Sequence, residues 1–164
     1  MNRIRMGIVL FITILLQNTV FSRIQILGVQ PNVALPVIVL LSIGFSSYAG
    51  GFSGLTIGLV EDILFSPVIG YHALIYFVTG FVIGNFEYRL NIKDNKTGML
   101  ITALATLGIF AFELVVSLFT GSSAAYIAHL KGPLLLEILM NSLLYYGVAM
   151  GIGRLFIFPN VRFY

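Results

Sequence analysis

The 164-residue sequence contains no cysteine and no tryptophan, and only 9% of it is charged. Without cysteine there is no disulfide, no thiolate nucleophile and no thiolate metal site. Without tryptophan, the eight tyrosines and fourteen phenylalanines must supply any aromatic rings at a membrane–water boundary. Soluble globular domains carry roughly 25% charged residues. A chain this poor in charge, 59% hydrophobic and with mean hydropathy +1.02, reads instead as an integral membrane protein. The longest hydrophilic stretch, Glu87 to Lys96, has the length of a loop, so residues 1–164 are expected to form a single membrane domain in the lipid bilayer. The net charge of +3 is small and scattered over loops, which argues against a nucleic-acid partner.

The start of the chain imitates a secretory signal, with Arg3 and Arg5 before an apolar run from Gly7 to Leu16. No A-x-A cleavage site follows; the chain continues Gln17-Asn18-Thr19-Val20-Phe21-Ser22-Arg23. It is therefore read as a retained first span.

Apolar periodicity predicts six transmembrane helices in one all-α bundle, at about 6–26, 33–48, 51–67, 70–88, 97–120 and 133–157. Gly50-Gly51, Ser66-Pro67, Asn91–Lys96 and Gly121–Gly132 are expected to break the pattern, and Pro31 and Pro133 fit helix starts. The third segment is short and glycine-rich, so a re-entrant hairpin competes with a full crossing there. Basic residues decide between them. Six crossings with the N-terminus inside place Arg3, Arg5, Arg89, Lys93, Lys96, Arg154 and Arg162 inside, leaving Arg23 and Lys131 outside. The positive-inside rule thus predicts six spans with both termini cytoplasmic. No internal repeat supports an inverted-repeat transporter.

A charge at the bilayer centre costs roughly 2.5 to 3.5 kcal/mol on insertion scales, so acids kept there face protein, water or a partner. Four do so here: Glu61, Asp62, Glu113 and Glu137. The six-span topology gathers them in the outer half of the bilayer with His72, Gln17 and Asn18. Helical spacing groups them further. Gly54, Gly58 and Asp62 share one face, with Phe52, Leu55, Leu59 and Ile63 opposite. His72, Tyr76, Gly80 and Gly84 form a second stripe. Thr102, Thr106, Glu113 and Ser117 form a third, and Glu137, Asn141 and Tyr145 a fourth. Small-xxx-small seams allow close helix approach, and polar residues hydrogen-bond across them. The seams serve either internal packing or partner docking, and the acids either hold geometry or carry function. Glu61 and Asp62 point about 100° apart on a helix, so they form no shared-proton dyad by local geometry. One is expected to face the bundle and the other the interface, with His72, Asn18 and Asn141 as donors at matching depth.

No nucleophile–base constellation and no glycine-rich phosphate loop occurs, so no enzymatic activity and no cofactor are expected. His72 and His129 are isolated, with no partner at ligand spacing, so no metal site is expected.

The stretch Gly54-Leu55-Thr56-Ile57-Gly58-Leu59-Val60-Glu61-Asp62, followed by Gly70-Tyr71-His72 and Gly80-Phe81-Val82-Ile83-Gly84, resembles the core of the bacterial rod shape-determining protein MreD family. The similarity is best over about 50–85; elsewhere only hydropathy, length and the basic start agree. Glu61 precedes the acid of the motif at a position expected to vary. The resemblance implies a non-enzymatic subunit of the cell-elongation machinery. Its implied partner is MreC, a single-span protein, and beyond it the MreB filament, the glycosyltransferase RodA and a class B penicillin-binding protein in peptidoglycan synthesis. That family is in turn similar to the six-helix substrate-binding subunits of energy-coupling-factor vitamin transporters, which implies the alternative of a substrate-capture subunit. Such a subunit should close its pocket with outer loops, for which Tyr126 and His129 are thin candidates. It should also carry an Ala-rich docking face, which Ala103, Ala105 and Ala111 do not obviously make.

Overall fold

The computed structural model describes residues 3–66, 68–86, 95–120 and 133–153. These form six α-helices: α1 (Arg3–Thr19), α2 (Ala34–Gly44), α3 (Ser47–Phe65), α4 (Tyr71–Phe86), α5 (Asn95–Thr120) and α6 (Pro133–Gly153). A single 3-10 turn, Phe21–Arg23, follows α1.

The bundle is built around α2. Its sequence, Ala-Leu-Pro-Val-Ile-Val-Leu-Leu-Ser-Ile-Gly, is apolar on every side, and all eleven residues are buried. A helix that is hydrophobic all round has no solvent face and belongs in a core. Helices α1, α3, α4, α5 and α6 all pack against it. Pro36 lies in its first turn, where a missing N–H does no harm, whereas Pro31 lies three residues before the helix and does not start it. The chain reaches α2 through a tight turn in which Leu27 and Gly28 both have positive φ (52° and 82°) and Ile26 and Val29 exchange two backbone hydrogen bonds.

Several boundaries differ from the sequence reading; the first span, expected at 6–26, ends its α-helix at Thr19. The predicted second span of 33–48 ends at Gly44, and the break falls at Phe45–Ser46 rather than at Gly50-Gly51. Ser46 caps α3, its side chain accepting from the Ala49 N–H at 3.2 Å. Gly50 and Gly51 lie inside α3. A Cβ on Gly50 would come 1.8 Å from Ser42 Oγ, so this glycine permits close packing of α3 on α2 instead of making a turn. Of the predicted loop 87–96, Asn95 and Lys96 instead begin α5; residues 87–94, the predicted break 121–132 and the chain beyond 153 lie outside the described residues.

The distribution of polarity is inside-out relative to a water-soluble protein. Thr13, Ser42, Ser53, Thr102 and Thr106 are buried, while Phe11, Leu15, Phe52, Leu100, Leu104, Leu135 and Leu143 are exposed. The buried hydroxyls of Thr13, Ser42, Thr102 and Thr106 donate to the carbonyl four residues back, so none needs water. An apolar exterior of this extent suits lipid. Among the described residues, three helical segments are long and apolar enough to cross a membrane: Ile4–Arg23, Asn95–Phe119 and Pro133–Ile152. Helices α2 and α4 are apolar but shorter. At ~1.5 Å per residue, the eleven residues of α2 reach about half of a ~30 Å hydrocarbon core. Among the described residues, length and composition thus mark three of the six expected crossings.

Candidate functional site

The α3–α4 hairpin supplies the frame. A Cβ on Gly58 would lie 2.6 Å from the Ala73 backbone, and one on Gly54 would lie 2.3 Å from the Tyr76 carbonyl oxygen. From the other side, a Cβ on Gly80 would meet the Gly50 carbonyl at 2.5 Å, and one on Gly84 would meet Ser47 Cα at 2.3 Å. The contacts step one turn up α3 for each turn down α4, so the two helices run antiparallel with backbone against backbone along their whole length. Both predicted glycine seams are therefore used up on each other, as internal packing. Phe52, Leu55, Leu59 and Ile63 are exposed on the opposite face, as their spacing predicts.

At the end of the seam, where another glycine would fall, stands Asp62. Its side chain is 0% exposed. Oδ2 accepts from the backbone N–H of Gly70 (2.9 Å) and Ala73 (3.1 Å), and Oδ1 accepts from the N–H of His72 (3.2 Å). His72 Nδ1 lies 2.7 Å from Oδ1, and donates there in the tautomer that carries the Nδ1 proton. The first N–H groups of a helix have no partner within it and carry the positive end of its dipole. Asp62 satisfies three such groups at the start of α4, from a helix away. Gly70 makes this possible: its φ of +99° is a conformation that side chains disfavour.

A second polar knot closes the start of α2. The Val33 N–H donates to Gln17 Oε1 (2.8 Å), the Asn32 N–H to Asn141 Oδ1 (3.1 Å), and the Leu35 N–H to Asn32 Oδ1 (3.1 Å). Asn32 Nδ2 donates to the Tyr76 hydroxyl at 2.8 Å, and Asn141 Nδ2 donates to Thr106 Oγ1 at 3.2 Å. One network thus joins α1, α4, α5 and α6 to the amino end of the central helix. The sequence reading placed Tyr76, Thr106 and Asn141 on polar stripes and Gln17 near the outer end of the first span, but missed Asn32. Its signal was an Asn three residues before Leu35, a capping pattern.

Between these two knots lies a polar pocket of about 400 Å³. Glu61, His72 and Glu137 line it, together with Gln17, Asn18, Asn32 and Tyr76. Of the two adjacent acids, Asp62 faces the bundle as expected. Glu61 turns into this pocket, with Oε1 shielded from solvent, rather than toward an interface. Glu113 is half-buried on α5 and does not line the pocket. A larger cleft of about 510 Å³ between α4 and α5, near Val78, Val82, Leu104 and Gly108, is apolar. Among the described residues no three His, Asp or Glu side chains are grouped to hold a metal ion. His129 and Tyr126 lie outside the described residues.

A glycine-stepped hairpin ending in a buried acid is the part of the chain on which the resemblance rests. No match was found among curated proteins or among solved structures. The family model described as rod shape-determining protein MreD matches residues 1–157, nearly the whole sequence. Family and apolar helices together mark a membrane protein with a part in rod shape determination, and the chain belongs to the MreD family.

Proposed function

We propose that the chain is a non-enzymatic scaffold subunit of the bacterial cell-elongation machinery, binding an MreC-like single-span protein within the membrane. Through that partner it helps organise peptidoglycan synthesis and rod shape, together with MreB, RodA and a class B penicillin-binding protein. The observation that carries this reading is the family match across residues 1–157. Two structural features support it. The most conspicuous acid, Asp62, is spent on capping a helix and not on chemistry. The described residues form one tightly connected helical body around α2, as a rigid docking platform requires.

The protein sits in the bacterial inner membrane with six helices threaded through it and both termini cytoplasmic, following the distribution of basic residues. Because Gly54, Gly58, Gly80 and Gly84 face one another's helices, the partner's helix docks on another part of the exterior.

The test is co-expression with an MreC-like protein and purification in mild detergent. A stoichiometric complex is expected, and cells deprived of either protein should become round. Absence of any complex, together with tight binding of a vitamin-like compound, would replace the scaffold reading with substrate capture.

A further inference from the structure

We propose that the polar pocket between Asp62 and the start of α2 is a binding site for a small ligand that carries an ammonium group together with an oxygen acceptor. The inference stands apart from the scaffold reading, because it needs no partner protein. Its volume, about 400 Å³, lies within the roughly 300 to 1,000 Å³ typical of ligand sites.

Several polar atoms on its wall are already committed. Gln17 Oε1 holds the Val33 N–H, Asn32 holds both Leu35 and Tyr76, and His72 Nδ1 holds Asp62. Those bonds fix the wall in place. Two solvent-shielded side-chain atoms of the lining residues are left over. Glu61 Oε1, an acceptor, and Asn18 Nδ2, a donor, are shielded from solvent and have no hydrogen-bond partner. Shielded polar atoms without partners are costly, and a carboxylate oxygen most of all. Glu61 carries the uncommitted acidic oxygen, and no Lys or Arg is among the pocket's described lining residues. The charge balance therefore favours a cation. A cation with N–H donors satisfies Glu61, and an oxygen on the same molecule satisfies Asn18. Amino alcohols, amino acids and the ethanolamine headgroup of a phospholipid share this chemistry. A quaternary ammonium such as choline lacks the N–H donor.

The test uses the full chain reconstituted in lipid nanodiscs made without phosphatidylethanolamine. Ethanolamine, O-phosphoethanolamine and choline are titrated while thermal unfolding is followed. Saturable stabilisation by either amine and not by choline supports a free amino compound as ligand. In parallel, the protein in nanodiscs containing phosphatidylethanolamine is released for native mass spectrometry. Selective retention of that lipid supports the headgroup as the source. Glu61→Gln keeps the shape and removes the charge, and should weaken binding about 10- to 100-fold, the cost of one charge-assisted hydrogen bond. Asn18→Ala, a second and independent variant, should weaken it in the same direction. Without ligand, neither should unfold below the wild-type temperature, because each change removes a costly unpartnered group. The proposal is overturned if neither amine stabilises the protein and no phosphatidylethanolamine is retained. It is equally overturned if Glu61→Gln and Asn18→Ala bind as wild type does.

Discussion

The carboxylate of Asp62 in α3 holds the backbone N–H of Ala73 in α4 at 3.1 Å, eleven residues along the chain and across a helical hairpin. One turn below, Gly58 brings α3 against the backbone of the same Ala73. The acid and the glycine depend on each other. Only a glycine lets the helices approach this closely, and only at this approach does an aspartate reach the unpaired start of the next helix.

Asp62 variants should therefore rank by acceptor count. Asp62→Leu leaves the N–H groups of Gly70, His72 and Ala73 without an acceptor in a water-poor site. At about 1–3 kcal/mol for each unsatisfied group, it should be strongly destabilising. Asp62→Asn keeps one acceptor oxygen and the shape, and should lie between Leu and wild type. Thermal unfolding in detergent and complementation of cell shape both read this ranking. If Asn behaves as badly as Leu, the charge itself is required, and capping is not the main role of Asp62.

Gly58 should be far more sensitive to size than its neighbour. The added Cβ of Gly58→Ala would stand 2.6 Å from the Ala73 backbone, which can yield only by separating α3 from α4. Separation forfeits dispersion contacts along the whole seam. Leu59 is 40% exposed on the opposite face, and Leu59→Phe should be tolerated. Equal yields of folded protein for Gly58→Leu and Leu59→Phe would show that the seam does not govern packing.

Asn141→Leu should cost about 1–3 kcal/mol, because it strands the part-buried Asn32 N–H at the amino end of α2. Asn141→Asp retains the acceptor for that N–H but loses the donor to Thr106. It should be the milder change if capping α2 is the larger contribution. Reversal of that order in unfolding temperature would shift the weight to the α5–α6 bond.

The hairpin was legible in the sequence because its logic is periodic. Gly54, Gly58 and Asp62 recur at four-residue steps, and such steps survive translation into a helix face. The same holds for Thr102 and Thr106. What could not be read was pairing. Nothing local to Asp62 says that its partners are main-chain N–H groups after a turn rather than Asn18 or Asn141. Nothing near Asn32 announces that its N–H will meet Asn141. The Gly50-Gly51 pair misled for a related reason. Glycine marks both chain breaks and close crossings, and only the neighbouring Ser42 on α2 distinguishes them. The number of membrane crossings is also a property of the packed whole. Helix α2 is buried on every side, and a hydropathy pattern cannot separate a helix shielded by protein from one shielded by lipid.

Sidedness is open to a direct chemical test because the chain has no cysteine of its own. Six crossings place seven of the nine basic residues on the cytoplasmic side, including those of the 87–96 segment, and leave Arg23 and Lys131 outside. A cysteine at position 125 should react with an impermeant thiol reagent in intact cells, and one at position 94 should react only after lysis. The polar pocket, near the carboxyl end of α1 and the amino end of α6, would then open to the outer face, where cell wall is built. The reverse pattern, with labelling at 94 and protection at 125, would invert the molecule in the membrane. It would turn the pocket toward the cytoplasm and remove the physical basis for an outward-facing ligand site. Labelling of both positions in intact cells would require an odd number of crossings between the two sites to be abandoned, and with it α5 as a spanning helix.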